Sequence, residues 1–291
     1  MFAPSQIALI TPFVDGGGVD YPALKRLIDM HASAGTGGLV IGGTTGESAT
    51  LGRDEHAELI AKSVEMIAGR MQLIAGTGSN STAQSIDLSK AADVDGVDGL
   101  LLVAPYYNKP PQRGLIAHFE AITESVSKPV MLYNVPGRTV TDIAPETVAA
   151  LAKHERIVAI KDATGDIDRL KAQQDVCPDG FQYFSGDDFT SCEFMLQGGH
   201  GVVSVTGNVA PGLMAKLCEH ATAGKRKKAR LIDARLAALN EAMFLESNPI
   251  PVKWALQRMG YCDGSIRLPL QRLDPAFEAD VETALKNADV L

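Results

Sequence analysis

Cysteines are few and widely spaced in this sequence, and no motif gathers them together. The four, Cys177, Cys192, Cys218 and Cys262, include no Cys-x-x-Cys pair. Because disulfide frameworks and structural zinc sites need paired or closely spaced cysteines, neither is expected, and a reducing cytoplasm fits. The six histidines show no His-Glu-x-x-His spacing, so a catalytic metal is not expected either.

Excess positive charge and long apolar runs are also missing. The formal net charge is −8, which argues against nucleic acid or an anionic membrane as a partner. One short basic cluster, residues 225–228, is predicted to lie on a solvated helix face. Residues 1–6 show neither a charged region nor an apolar run, so no signal peptide or membrane span is expected.

What the sequence has in quantity is short apolar runs that alternate with helical patterns. Eight such runs occur, from about residues 7–10 to residues 202–205. Eight strand–helix alternations predict an α/β fold, a (β/α)8 TIM barrel, rather than a doubly wound sheet. The chain then turns helical from residue 211 to its end. We therefore predict a catalytic barrel at 1–223 and a C-terminal helical appendage at 224–291, packed on the barrel.

The sixth run, residues 157–162, reads IVAIKD and ends in a lysine. An apolar run without alternation is typical of a parallel strand that is covered on both faces. Lys161 is then at the carboxyl end of its strand, where barrel enzymes carry their chemistry. A desolvated amine is favoured in its neutral form, and a neutral amine can attack a carbonyl carbon to form a Schiff base. The alternative is a lysine that merely extends from the strand end to water.

Other polar residues follow other predicted strands. The segment 42–48, GGTTGES, combines flexible glycines with hydroxyls and suits a carboxylate, although an ordinary tight turn has the same composition. Tyr133 occupies the strand-end position next to that of Lys161, where a phenol can shuttle protons. Arg138 follows a Pro-Gly turn and offers a planar fork for a second carboxylate. Asp187 and Asp188 are predicted to cap a helix.

In combination, these motifs resemble the pyruvate-dependent class I aldolase and lyase family, and within it the dihydrodipicolinate synthases. The resemblance runs essentially from end to end and is carried by residues 43–47, 105–110, 133–138, 161–162, 201–208 and 248–253. It implies condensation of pyruvate with aspartate semialdehyde through an imine on the lysine, in lysine and diaminopimelate biosynthesis, with no cofactor. It also implies self-association, as a homotetramer built from tight dimers or as a dimer.

The resemblance further implies roles for individual residues. The expected catalytic residues are Lys161, Tyr133, Thr44 and Tyr107. The expected substrate-binding residues are Thr45, Arg138, Gly186 and Val203. Lys161 would form the imine, and the three catalytic hydroxyls would relay protons, with Tyr107 supplied by the neighbouring subunit. Thr45 would hold the carboxylate of pyruvate, and Arg138 that of aspartate semialdehyde.

The same family carries a feedback site for lysine at the tight-dimer interface. The candidate allosteric residues here are Ser48, Ala49, His56, Asn80, Gln84 and Tyr106. Two positions depart from the lysine-sensitive pattern, because Arg53 stands where a histidine is common and Gln84 where a glutamate is expected. A lost carboxylate and an added cation predict weak or absent inhibition by lysine.

Three alternatives remain open from the sequence. A sugar-acid aldolase of the same family is disfavoured by Arg138 and Tyr107. A catalytically silent sensor barrel should have lost Lys161 or Tyr133. A phosphate-binding barrel enzyme needs a glycine-rich site after strands seven and eight, whereas the glycines at 198–201 precede strand eight.

Overall fold

Eight parallel strands close into a barrel in chain order, in a computed structural model that describes residues 1–291. The strands are β1 Ser5–Ala8, β2 Gly38–Ile41, β3 Gln72–Gly76, β4 Gly99–Val103, β5 Val130–Asn134, β6 Ile157–Asp162, β7 Gln182–Ser185 and β8 Gly201–Ser204. The last strand pairs in parallel with the first, which closes the barrel. The predicted (β/α)8 TIM barrel is therefore confirmed.

Helices surround the barrel and continue beyond it. The helices up to the end of the barrel are α1 Tyr21–Ala34, α2 Arg53–Ile67, α3 Thr82–Ala92, α4 Gln112–Glu124, α5 Pro136–Thr139, α6 Pro145–Leu151, α7 Asp168–Gln174, α8 Ser191–Leu196 and α9 Pro211–Thr222. Those of the appendage are α10 Arg226–Ala242, α11 Ile250–Arg258 and α12 Pro275–Asn287. The predicted C-terminal helical appendage is present, although residues 259–274 are not helical. The proposed boundary at 223/224 falls between α9 and α10, which pack on each other.

Local sequence signals account for the start and end of α1. The Asp20 side chain accepts a hydrogen bond from the backbone N–H of Ala23 at 2.9 Å, as an N-cap should. Gly35 ends the helix with a φ of 84°, a left-handed conformation that glycine adopts without strain. Both of these boundaries follow from the sequence.

The first strand lies about two residues earlier than its apolar run predicts. Beyond the end of β1, Ile10 donates its backbone N–H to the side-chain oxygen of Asn208 at 3.1 Å rather than to a strand. Gln6, a polar residue inside β1, is buried because its amide bonds to the Ala3 carbonyl and the Gln72 side chain. Apolar character alone therefore misplaced the strand.

The barrel interior and the barrel–helix interface form two separate apolar cores. The interior core consists of Phe2, Ala8, Val40, Ile74, Leu101, Met131, Tyr133, Val135, Ala159, Phe184 and Val203. Side chains alternate across a strand, so residues two apart share one face of it. Lys161 follows Ala159 by two positions and Tyr133 follows Met131 by two. Both side chains therefore extend from the top of the interior core.

A buried ion pair joins the appendage to the segment 42–48. Lys253 of α11 and Glu47 form a salt bridge with side chains only 1% and 2% exposed. The Lys253 ammonium also donates to the Ser265 carbonyl at 2.8 Å and lies 4.1 Å from the centre of the Phe13 ring. Burial lowers the pKa of Lys253, and the charge of Glu47 opposes that shift. The backbone N–H of Arg267 donates to Glu47 at 3.0 Å.

Replacing Lys253 by Met should strongly destabilise the protein, because it leaves the Glu47 carboxylate buried without its partner. The expected loss is about 3–5 kcal/mol in the free energy of unfolding, measured by urea denaturation. A Glu47→Gln/Lys253→Met double variant should lose less than the sum of the single changes. Lys286→Met, which removes an exposed lysine of α12, is the control and should cost less than about 1 kcal/mol. Additive losses from Glu47→Gln and Lys253→Met would contradict the coupling.

Candidate active site

Lys161 and Tyr133 lie side by side at the carboxyl end of the barrel. They are register partners on β6 and β5, and the Lys161 ammonium nitrogen lies 4.1 Å from the centre of the Tyr133 ring. Lys161 is only 5% exposed, and Tyr133 is buried as well. The predicted convergence of an amine and a phenol is confirmed. In chemical terms, an amine can act as a nucleophile, and a phenol beside it can give or accept a proton.

A polar cluster on the outer side of the strands holds this register. The next pair along the two strands is Asn134 with Asp162, and the Asn134 amide donates to Asp162 at 3.4 Å. Arg169 of α7 donates to the same carboxylate oxygen at 3.2 Å. Since neighbouring side chains point to opposite faces, these contacts fix the strand ends from behind Lys161 and Tyr133. Sequence reasoning missed this cluster.

Gly186 follows β7 and packs directly against the stem of Lys161. A Cβ atom at position 186 would lie 2.7 Å from Cβ of Ala163 and 2.8 Å from Cε of Lys161. The backbone N–H of Gly186 donates to the Asp162 carbonyl at 2.7 Å, so the glycine cannot move away freely. Any side chain at this position would displace the lysine. Val203, also predicted at the site, lies in the interior core on β8.

The segment 42–48 after β2 presents unpaired hydrogen-bond donors. The backbone N–H groups of Thr44, Thr45 and Gly46 donate to no acceptor within the chain. Thr45 is buried, and its hydroxyl oxygen accepts a hydrogen bond from the side-chain amide of Asn248 at 2.9 Å. Consecutive free N–H groups with a hydroxyl beside them suit a carboxylate, as predicted from the composition.

A cavity of about 530 Å³ lies beside this segment, a volume in the range of small-molecule sites. Thr45, Lys161 and Tyr133 are not among its lining residues. Thr44, Val135, Arg138 and Asn248 are among its lining residues. Val135 also belongs to the interior core that contains Tyr133, so the cavity lies next to the layer that carries the amine and the phenol. Arg138 is exposed and donates to the Asn248 carbonyl at 3.3 Å.

Tyr107 is not brought to Lys161 within one chain. Its side chain is 89% exposed, and its backbone adopts a positive φ of 73°. That conformation is uncommon for a residue other than glycine. Of the predicted catalytic hydroxyls, that of Tyr133 lies beside Lys161 and that of Tyr107 is left in solvent within one chain, whereas Thr44 lines the cavity.

The candidate lysine site occupies another part of the same cavity. Five of its six residues line the cavity: Ser48, Ala49, His56, Gln84 and Tyr106. Asn80 is not among the lining residues, and its carbonyl accepts from Asn108 at 2.8 Å. His56 is buried, its ring bonds to the Gly76 carbonyl at 2.9 Å, and burial lowers its pKa.

Arg53 does not act there as the free cation that the sequence suggested. Its guanidinium pairs with Asp87, which lies one turn beyond Gln84 on α3 and also lines the cavity. The added positive charge is thus compensated. Sequence reasoning missed Asp87 because its partner is 34 positions away in the chain.

The two aspartates after β7 differ in role. Asp187 accepts from the backbone and the hydroxyl of Thr190, the residue before α8, and no side chain caps the first turn of that helix, so its predicted capping role was wrong. Asp188 is buried and accepts instead from the backbone N–H groups of Val205 and Thr206 at 2.8 and 2.9 Å. Burial raises its pKa, partly offset by these bonds. Asp188 therefore fixes the segment after β8, and its capping prediction was wrong.

No group of three or more His, Cys, Asp and Glu side chains is arranged to hold a metal ion. None of the helices combines the length and apolar character that crossing a membrane requires.

Known proteins resemble this chain over its whole length. The model of the dihydrodipicolinate synthetase family matches residues 1–288. A 4-hydroxy-tetrahydrodipicolinate synthase of Pseudoalteromonas atlantica is 50% identical over 292 residues, covering 100% of both chains. The chloride-inhibited dihydrodipicolinate synthase of Acinetobacter baumannii, solved in complex with pyruvate, has a TM-score of 0.98 at 45% identity, covering 100% of both chains.

A second similar structure was solved with a bound amino acid. The enzyme of Cyanidioschyzon merolae, solved with lysine bound, has a TM-score of 0.96 at 39% identity, covering 100% of this chain and 99% of that one. Sequence and fold agree over the whole length, and this chain belongs to the dihydrodipicolinate synthetase family.

Proposed function

We propose that this protein is a 4-hydroxy-tetrahydrodipicolinate synthase. It condenses pyruvate with L-aspartate 4-semialdehyde to 4-hydroxy-tetrahydrodipicolinate, the committed step of lysine and diaminopimelate biosynthesis, and is a class I aldolase-type lyase. The observation that carries the proposal is the buried Lys161 beside Tyr133, at the carboxyl end of a barrel in this family.

The chemistry needs an amine that can lose its proton, which an arginine could not provide. The neutral Lys161 amine attacks the ketone carbon of pyruvate, and loss of water leaves a protonated imine. This cation withdraws electrons, so the methyl group gives up a proton and becomes an enamine. The enamine carbon bonds to the aldehyde carbon of the second substrate, and ring closure by its amino group releases Lys161. The imine itself serves as the electron sink, so we propose that no cofactor takes part.

Two carboxylates must be held during this sequence. The free N–H groups of Thr44 and Thr45 support binding of the pyruvate carboxylate, with the backbones of Gly186 and Val203 as further walls of the pocket. Arg138 lines the mouth of the cavity, and its fork suits the carboxylate of aspartate semialdehyde. The enamine carbon derived from pyruvate and the aldehyde carbon would then lie between the two carboxylate-binding groups.

The proton relay requires a second subunit. Tyr133 and Thr44 belong to one chain, and Tyr107, which is 89% exposed within its own chain, completes the relay in the site of a partner. We propose a homotetramer built from two tight dimers, with a simple dimer as the smaller assembly that meets the same need. The four cysteines are all free, which supports a cytoplasmic location.

A lysine site with low affinity is proposed in the outer part of the cavity. The ε-ammonium of lysine needs a carboxylate, and both acidic residues that line the cavity, Glu47 and Asp87, are already paired with cations. Gln84 offers only a neutral amide, whose oxygen accepts from Ser79 at 2.7 Å. Charge-assisted contacts to the ligand are therefore weaker than a glutamate at position 84 would provide.

Lys161→Ala should abolish the reaction, because no other residue can form the imine. Turnover is measured with pyruvate and aspartate semialdehyde, using dihydrodipicolinate reductase to report product, with Lys286→Ala as the control that keeps full activity. Borohydride should trap pyruvate on the native protein and not on Lys161→Ala. Turnover that survives in Lys161→Ala would overturn the mechanism. Trapping on the native protein without turnover would redirect the aldehyde partner to a sugar acid.

Co-expression of Lys161→Ala and Tyr107→Phe chains should restore activity that neither variant has alone. Tyr107→Phe alone should lose roughly 100-fold in turnover if the phenol relays protons. In a hybrid dimer, one site combines an intact Lys161 with the partner's intact Tyr107. Random pairing of equal amounts should therefore recover about a quarter of native activity. Recovery no greater than the mean of the two separate variants would show that Tyr107 does not act across subunits.

Inhibition by lysine should be weak in the native protein and stronger in Gln84→Glu. The native half-inhibition concentration is expected in the millimolar range or above, and the added carboxylate should lower it about tenfold or more. Gln197→Glu makes the same charge change at the end of α8, away from the cavity, and should leave the curve unchanged. Half-inhibition of the native protein well below millimolar lysine would refute the proposal.

A further inference from the structure

Asn248 contacts both residues that the proposed function assigns to the two substrate carboxylates. Its side-chain amide donates to the Thr45 hydroxyl at 2.9 Å, and its backbone carbonyl accepts from Arg138 at 3.3 Å. Asn248 lies between α10 and α11, in the appendage, yet it is only 5% exposed and lines the cavity. Its contact with Thr45 spans 203 positions of the chain.

The direction of the hydrogen bond to Thr45 has a chemical consequence. A hydroxyl carries one hydrogen to donate and two lone pairs to accept with. Because the amide of Asn248 is the donor, one lone pair of the Thr45 oxygen is occupied and the hydroxyl hydrogen is directed elsewhere. The neighbouring N–H groups of Thr44 and Thr45 have no acceptor in the chain. All of these donors are thus without an acceptor in the chain, and consecutive free N–H groups suit an anion.

Asn248 is itself held firmly. Five positions later, Lys253 makes the buried ion pair with Glu47, and Glu47 is two positions after Thr45. The start of α11 therefore contacts the segment 42–48 twice, once through an amide and once through opposite charges. A single contact fixes only the distance between the two segments. Two contacts also restrict the rotation of one segment relative to the other.

We propose that Asn248 is a positioning residue that orients the Thr45 hydroxyl toward the carboxylate of pyruvate, while its carbonyl steadies Arg138. The proposal rests on the proposed function and names an appendage residue that acts through Thr45. The side chain and the backbone of Asn248 serve different substrates. A change of side chain should therefore affect pyruvate and spare aspartate semialdehyde.

Asn248→Ala tests this separation of roles. The pyruvate concentration that gives half-maximal borohydride trapping on Lys161 should rise about three- to tenfold, the effect of one lost hydrogen bond. The KM for aspartate semialdehyde should change less than about twofold, since the backbone carbonyl remains. Asn248→Asp should raise the pyruvate requirement further, because its carboxylate accepts the Thr45 hydrogen and repels the substrate.

A double-variant cycle shows whether the effect passes through Thr45. In a Thr45→Val background, Asn248→Ala should have almost no additional effect on pyruvate half-saturation, because the hydroxyl it orients is gone. Equal effects in both backgrounds, or an unchanged pyruvate requirement in Asn248→Ala, would overturn the proposal. If Asn248→Ala fails to fold, as judged by circular dichroism, the near-isosteric Asn248→Asp replaces it, and its effect on pyruvate half-saturation should be smaller in the Thr45→Val background, where only charge repulsion remains.

Borohydride trapping of pyruvate on Lys161 tests the role of Asn248 independently of turnover. It reports pyruvate binding without the second substrate, so the Asn248 result stands even if the native protein does not turn over aspartate semialdehyde. If the native protein traps no pyruvate, the proposed function fails and this proposal fails with it. Arg258→Ala, which removes an exposed ion pair of α11, is the control and should trap pyruvate like the native protein.

Discussion

The parallel register between β5 and β6 is the constraint on which the site depends. It makes Tyr133 the partner of Lys161 and puts both side chains inside the barrel. If either strand slipped by one residue, its own side chain of the pair would turn to the outer face, because side chains alternate along a strand. The polar pair behind them, Asn134 and Asp162, opposes that slip by bonding across the same strands. The pairing of β5 with β6 therefore also determines the relative positions of Lys161 and Tyr133.

The segment 42–48 depends on a different kind of contact. It is not part of a strand. Besides backbone bonds within the segment and one bond from Thr11 to Gly46, it is held by groups of the appendage: Lys253 and Arg267 contact Glu47, and Asn248 contacts Thr45. Burying opposite charges adds little net stability, yet breaking such a pair is costly. The buried pair therefore specifies the position of the loop more than it strengthens the fold. The C-terminal helices belong to the active site as much as the barrel does.

Much of this could be predicted from sequence, and the limit has a physical origin. Apolar runs located the eight strands, and strand ends located Lys161 and Tyr133, because burial and barrel topology leave periodic signals in the chain. The start of β1 was misplaced because buried apolar residues continue beyond the residues that pair with the neighbouring strands. Asp162, Asn248 and the partner of Arg53 were missed in their structural roles. Their importance comes from single polar contacts between distant positions, which leave no pattern in either segment.

The late position of Lys253 and Arg267 in the chain bears on how the enzyme is made. Every residue that is proposed to touch a substrate lies at or before Val203, so a growing chain contains all of them long before synthesis ends. The segment 42–48, however, gains its contacts with Asn248, Lys253 and Arg267 only when residues 248–267 have been added. A chain that stopped earlier would contain Lys161 but would leave the Glu47 carboxylate without the cation that pairs with it. Synthesis of the appendage and completion of the site are thereby coupled.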